Sequence, residues 1–135
     1  MSKKQALSFA PADGVPPQVG PFSHVVRWGD QLFVTGQMPT HPTTGKLVPG
    51  GIVKQTRQVL SNLTAVLAAC GATLDDALMV RIYLTDFADY DSFNQEYVTW
   101  FSEPLPARTC VGVTGLAVDA AVEIDLIVGL SEKNL

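Results

Sequence analysis

Arg108 is the residue in this sequence best suited to hold an acid group. It follows Pro106-Ala107 and is succeeded at alternate positions by Cys110 and Gly112, small residues that leave room beside a guanidinium. The planar fork of an arginine matches a carboxylate through two parallel hydrogen bonds, so Arg108 reads as an anchor for an acidic ligand. The same position also fits a structural ion pair with Glu123 or Asp125 across a sheet. Glu123, in Val122-Glu123-Ile124, is a carboxylate in an otherwise apolar strand. It is suited to orienting or activating water, or to a salt bridge or solvated strand position. Thr35, in Val34-Thr35-Gly36-Gln37, offers a hydroxyl to a ligand, although threonine is common in strands for its β-propensity alone.

The remaining reactive side chains suggest less. No His or helix N-terminus near Cys110 in the sequence would lower its thiol pKa, so it reads as a packed thiol. Phe93, Tyr97 and Trp100 recur at helical spacing and read as core. His24 reads as a strand histidine facing solvent or a neighbour. Pro49-Gly50-Gly51 lacks the Gly-Lys-Ser/Thr ending of a phosphate loop. His24 and His41 stand apart, and Cys70 and Cys110 form neither a CxxC motif nor a disulfide framework. Reduced thiols and no metal are expected.

The elements that must position these groups follow from periodicity and turn chemistry. Residues 1–20 contain Pro11, Pro16, Pro17 and Gly14 and are expected to lie over the surface as an arm. A single domain over 21–131 follows. Segments 22–28 and 31–38 are rich in Val, Phe and Trp, and Gly29-Asp30 between them marks a two-residue hairpin turn. From Ile52 to Cys70 the apolar residues at 59, 60, 63, 66, 67 and 70 have helical spacing; Gly50 or Gly51 starts this helix and Gly71 ends it. Residues 77–84 alternate as a strand. Tyr90, Phe93, Tyr97 and Trp100 or Phe101 mark a second helix, capped by Asp86 or Asp89 and ended by Pro104 and Pro106. Strands at 107–114 and 121–129 complete the order ββαβαββ, an α+β domain.

Alternation assigns strand residues to two faces. Leu32, Val34, Leu78, Val80, Ile82, Thr109, Val111, Val113, Val122, Ile124 and Leu126 are expected beneath the two helices. Phe33, Thr35, Gln37, Met79, Arg81, Tyr83, Arg108, Cys110, Gly112, Glu123, Asp125 and Ile127 fall on the other face. That set is too mixed for a core and too apolar for plain solvent, so it is expected to meet another subunit. A cyclic oligomer would bury it and leave clefts lined by its polar members, Arg108 and Glu123 together among them.

Composition narrows the function classes. A 47% hydrophobic chain of 135 residues suits one domain, and a chain of this size buries roughly two-thirds of its unfolded surface. Its formal charge of −4, pI near 4.9 and scattered basic residues disfavour nucleic acid and anionic membranes as partners. Met1 to Gly20 has no charged start followed by an apolar run, so a cytoplasmic protein is expected.

Several motifs then combine in order: Gly20-Pro21-Phe22-Ser23, Val34-Thr35-Gly36-Gln37, Asn94 with Tyr97 and Phe101, and Pro106-Ala107-Arg108. Leu116 lies eight residues past the Arg and the Glu of Val122-Glu123-Ile124 seven further on. From about Gly20 to Gly129 the chain resembles the reactive intermediate deaminase (Rid, RidA/YjgF-like) family. The resemblance implies a bacterial-type chorismate-mutase-like fold, a mixed sheet backed by two helices, assembled as a homotrimer with clefts between subunits. It implies hydrolysis of 2-imino or 2-enamino acids to 2-keto acids and ammonia, without a cofactor. Position by position, Arg108 would bind the substrate carboxylate, the Cys110 backbone would bond the reacting end and Glu123 would hold water. Thr35, where the family usually has serine, would contact the ligand from the neighbouring subunit, as would Asn94. Phe22 stands where the family's well-studied deaminases carry tyrosine, which removes a hydroxyl from the substrate-binding set; His24, two residues on, is a candidate replacement. The alternatives are a non-catalytic trimeric module for small carboxylates or chaperone-like binding, and a pathway deaminase of a larger substrate such as 2-aminomuconate. Ribonuclease activity is disfavoured by the acidic composition.

Overall fold

The N-terminal arm is partly built into the sheet. In the computed structural model, which describes residues 3–131, Gln5–Leu7 form a short strand, β1, antiparallel to β2 (Val25–Trp28). Leu7, Phe9 and Val15 of the arm pack against the core, which corrects the expectation of a purely surface arm. The chain then turns at Gly29-Asp30 into β3 (Gln31–Gln37). Gly29 has φ 63°, a left-handed conformation that glycine adopts without steric cost.

Helix α1 (Gly51–Ala69) follows the loop after β3, and Gly71, at φ 76°, closes it. Val59, Leu60, Leu63, Val66 and Leu67 of α1 are fully buried, and each such side chain contributes roughly 1.5–3 kcal/mol. Its polar residues also fix distant backbone. Asn62 Nδ2 donates to the carbonyls of Met38 (3.0 Å) and Thr40 (2.9 Å), and Ala121 N donates to Gln55 Oε1 (2.8 Å). The end of β3 and the entry to the last strand are thus pinned to one helix.

Strand β4 (Ala77–Leu84) leads to α2 (Tyr90–Tyr97), preceded by a short turn in which Asp86 Oδ1 accepts from Ala88 N at 3.0 Å. Strands β5 (Ala107–Gly112) and β6 (Val122–Gly129) complete one sheet of order β1-β2-β3-β6-β4-β5. All neighbours are antiparallel except β4 and β5. This mixed six-stranded sheet backed by two helices is the expected α+β architecture with one short strand added. Leu32, Val34, Val80, Ile82, Leu84, Val122, Ile124 and Leu126 face the helices.

Two face assignments are corrected. A register shift between Ala77 and Met79 turns Leu78 out of the core, 52% exposed. More consequentially, β5 has the opposite phase from that expected. Its parallel register sets Arg108 beside Val80 and Cys110 beside Ile82, and neighbours in a ladder point the same way. Arg108 and Cys110 therefore lie on the helix side, and Thr109 and Val111 look outward with Arg81 and Tyr83.

Candidate functional site

On the open face of the sheet, Glu123 and Thr35 share a hollow of about 390 Å3 whose walls include Ser23, Phe33, Gly36, Arg81 and Asp125. Asp125, nearly buried, is fully engaged: Arg81 Nε donates to its Oδ1 at 2.7 Å and Tyr83 OH to its Oδ2 at 3.0 Å. The ion pair across the sheet thus belongs to Arg81, and among the described residues no cation pairs with Glu123. Burial, and secondarily the Asp125 charge, push the Glu123 carboxyl above its ordinary pKa. A carboxylate that is partly desolvated and lacks a counter-charge is a better proton acceptor than a free one. Its place depends on Gly36. A Cβ there would come within 2.7 Å of Glu123 Cδ and closer still to Oε2, so the carboxylate rests against the bare backbone of β3.

Arg108 lies on the opposite side, under α2. Its guanidinium carbon stands 4.9 Å from the ring centroid of Tyr97, 5.6 Å from that of Tyr90 and 5.7 Å from that of Phe93, and Nη2 donates to Tyr90 OH at 3.2 Å. Aromatic faces attract a guanidinium without neutralising its charge. Among the described residues, Arg108 makes no ion pair with a carboxylate of its own chain. Asn94, next to Phe93 on α2, keeps a buried Oδ1 without a partner, and so does the hydroxyl of Tyr97. Burial pushes Tyr97 up to about 12 against the pull of Arg108. Cys110 is half-buried below, its thiol pushed up by burial, in keeping with a packed and unreactive group.

Phe22 is 41% exposed and helps wall a cavity of about 90 Å3 together with His24, Gly36, Gln37, Met38 and Val118. His24, expected to face solvent or a neighbour, is instead only 8% exposed, edge-on to Phe9 and Phe22. Gln37 Nε2 donates to its Nδ1 at 3.2 Å. Gly36 is a wall of both the cavity and the Glu123 hollow.

The structure therefore gathers Glu123, Thr35 and Phe22 in two adjoining hollows, and gathers Arg108, Cys110 and Asn94 elsewhere. Arg108 and Glu123 do not share a wall, contrary to expectation. Strand β4 separates β5 from β6, a gap of roughly 10 Å at ordinary strand spacing, and the two side chains leave opposite faces. Asn94 goes with Arg108 through α2, whereas Thr35 goes with Glu123. Sequence reasoning missed Tyr90 as a partner of the guanidinium and Gln37 as a partner of His24. The stripe Tyr90, Phe93, Tyr97 was visible in the sequence, and its aromatic faces were the available sign of a cation beneath. Among the described residues no group of His, Cys, Asp or Glu is assembled to hold a metal ion, and no helix is long and apolar enough to cross a membrane.

Comparison with known proteins places this geometry in context. The family model described as Endoribonuclease L-PSP matches residues 14–130. A RutC family protein of Pyrococcus horikoshii is 42% identical over 115 residues, spanning 85% of this chain and 91% of its own. The mouse protein named 2-iminobutanoate/2-iminopropanoate deaminase is 35% identical over 112 residues, 83% of each chain. The crystal structure of E. coli TdcF with bound serine superposes with a TM-score of 0.85 at 30% identity, covering 94% of this chain and 99% of that one.

Proposed function

We propose that this chain, which belongs to the Endoribonuclease L-PSP family, also known as the YjgF/RidA family, hydrolyses 2-imino or 2-enamino acids to 2-keto acids and ammonia. The observation that carries this reading is the state of Arg108: a guanidinium roofed by three aromatic rings with, among the described residues, no carboxylate upon it. A substrate carboxylate would complete it. The imine deaminase name of the mouse relative and the serine in TdcF support a small amino-acid-like ligand.

Because Arg108 and Glu123 leave opposite faces of one sheet, the reading requires a cleft shared by two protomers of a homotrimer. One protomer brings Arg108, the Cys110 backbone and Asn94; its neighbour brings Glu123, Thr35 and Phe22. The guanidinium fork fixes the carboxylate, which sets C2 of the protonated imine against the Glu123 hollow. Water held by Glu123 gives up a proton to the carboxylate as its oxygen bonds to C2. The resulting carbinolamine takes that proton back from Glu123 on its nitrogen; the hydroxyl proton then passes to the Glu123 carboxylate as the C–N bond breaks, its electron pair leaving on ammonia, and the keto group remains. An iminium carbon is already electrophilic, so positioning of substrate and water supplies most of the acceleration. The formal charge of −4 does not favour RNA as the substrate.

The test is direct. Imines are generated in situ with an amino acid oxidase or threonine dehydratase, and keto acid release is followed with and without the protein. Acceleration that is lost in Arg108→Ala is expected. No acceleration over several side chains, or an equally active Arg108→Ala, would refute the reading. Tight binding of a 2-keto acid without turnover would instead establish a binding module.

A further inference from the structure

The ring faces of Tyr90, Phe93 and Tyr97 attract the Arg108 guanidinium, but an aromatic face does not set how a planar cation is turned in its own plane. That angle is set by one bond, from Nη2 to the Tyr90 hydroxyl at 3.2 Å. Tyr90 is in turn held twice by Phe87. Its backbone N–H donates to the Phe87 carbonyl, and its ring stacks on that of Phe87 with centroids 4.9 Å apart and planes 13° from parallel. Phe87 lies over β5, its Cδ1 3.5 Å from where a Cβ on Gly112 would stand. The phenol is thus a braced group, presented to the guanidinium in one position.

The nitrogen it engages gives the bond its consequence. A guanidinium has five N–H groups and offers a carboxylate two edges with parallel pairs of donors. Nε–H and one Nη2–H form the side edge; Nη1–H and the other Nη2–H form the end edge. Nη2 is the nitrogen common to both. A hydroxyl oxygen on one Nη2–H closes one edge and leaves the other as the single two-pronged seat. Among the described residues no ion pair and no further hydrogen bond of its side chain occupies that second edge.

Resting on the deaminase reading above, we propose that Tyr90 is a positioning residue: its hydroxyl closes one edge of the Arg108 fork, so that the substrate carboxylate seats on the other edge alone and C2 takes one placement relative to the water on Glu123. Without that oxygen the guanidinium turns beneath the rings and both edges accept the carboxylate. Affinity for the acid group survives, since the charge, the rings and the fork remain. Alignment of C2 with the water does not.

Tyr90→Phe removes the oxygen and keeps the ring and its stack on Phe87. Imine of alanine is supplied in situ by an amino acid oxidase, and kcat and KM are measured separately. A misplacement of about 1 Å is worth roughly a hundredfold, and a guanidinium still held by three rings drifts by less, so kcat is expected to fall about tenfold with KM within about twofold. A lysine has no planar fork, so in an Arg108→Lys background the same change lowers kcat by less than about twofold. In 15N-arginine-labelled protein, the bonded guanidinium gives separate Nη1 and Nη2 signals, which merge in Tyr90→Phe as rotation about Nε–Cζ is freed. An unchanged kcat, a loss carried by KM alone, a further tenfold fall in the lysine background, or merged signals in the wild type would each overturn the positioning role and leave the deaminase reading intact. A wild type that hydrolyses no imine would remove both.

Discussion

Gly36→Ala isolates the contact on which the water-holding carboxylate depends. Gly36 is not at positive φ, so alanine is allowed by the backbone and the perturbation is steric alone. The new methyl would lie within 2.7 Å of Glu123 Cδ and 3.0 Å of Cγ, which forces the carboxylate to move by about 1 Å to reach ordinary contact. Overpacking costs typically about 1–3 kcal/mol. Here the flexible Glu123 side chain yields into an open hollow of about 390 Å3, so the low end applies, about 1 kcal/mol and a Tm lower by roughly 3 °C. Catalysis is affected more. A misplacement of about 1 Å is worth roughly a hundredfold, or about 2.7 kcal/mol of barrier. The assay is kcat/KM for imine hydrolysis beside calorimetric Tm, for Gly36→Ala, Glu123→Gln and the double variant. If Gly36→Ala acts through Glu123, the double variant loses no more activity than Glu123→Gln alone. A folded Gly36→Ala at wild-type rate, or losses that multiply in the double variant, would refute the role given to Glu123.

Three further outcomes follow from the geometry. Arg108→Lys keeps the charge but loses the fork and the bond to Tyr90; losing one charge-assisted hydrogen bond costs about 1.5–3 kcal/mol, so kcat/KM falls by tenfold or more with KM rising. The pH–rate profile should lose activity as pH falls through the Glu123 pKa, and this acid limb lies higher than for an ordinary carboxylate because burial and Asp125 both raise that pKa. Asp125→Asn removes the second cause, so the limb moves to lower pH while burial keeps it above the ordinary position. Val118→Gly relieves a left-handed valine, a strain of about 1–2 kcal/mol partly offset by the greater chain entropy of glycine, so scanning calorimetry should show a Tm raised by about 1–3 °C.

The elements legible in the sequence were those whose pattern and punctuation agreed. Gly29-Asp30 between two Val-rich runs gave the hairpin, and the apolar spacing from Val59 to Cys70 with Gly71 beyond gave α1. Strand β1 was not legible, because Gln5-Ala6-Leu7 is too short to show alternation and is held by its pairing with β2 and by Leu7 against the core. The inverted face of β5 has a different cause. Alternation fixes which residues of a strand share a face but not which face. The rings of Tyr90, Phe93 and Tyr97 make a guanidinium tolerable there, so the burial rule lost to a specific partner. His24 was misplaced similarly, since it precedes β2 and its partner Gln37 lies thirteen residues away at the end of β3. Arg108 and Glu123 were found as residues, and what the sequence could not supply was their relation across the sheet.

The parallel pairing of β4 with β5 has a genetic consequence if the cleft is shared as proposed. Every polypeptide then donates half of one reaction centre and the complementary half of another. Chains carrying Arg108→Ala and chains carrying Glu123→Gln, each inert when expressed separately, would regain turnover when co-expressed, since some mixed assemblies contain an interface with both halves intact. Dissociation on dilution would likewise extinguish turnover while each chain kept its fold.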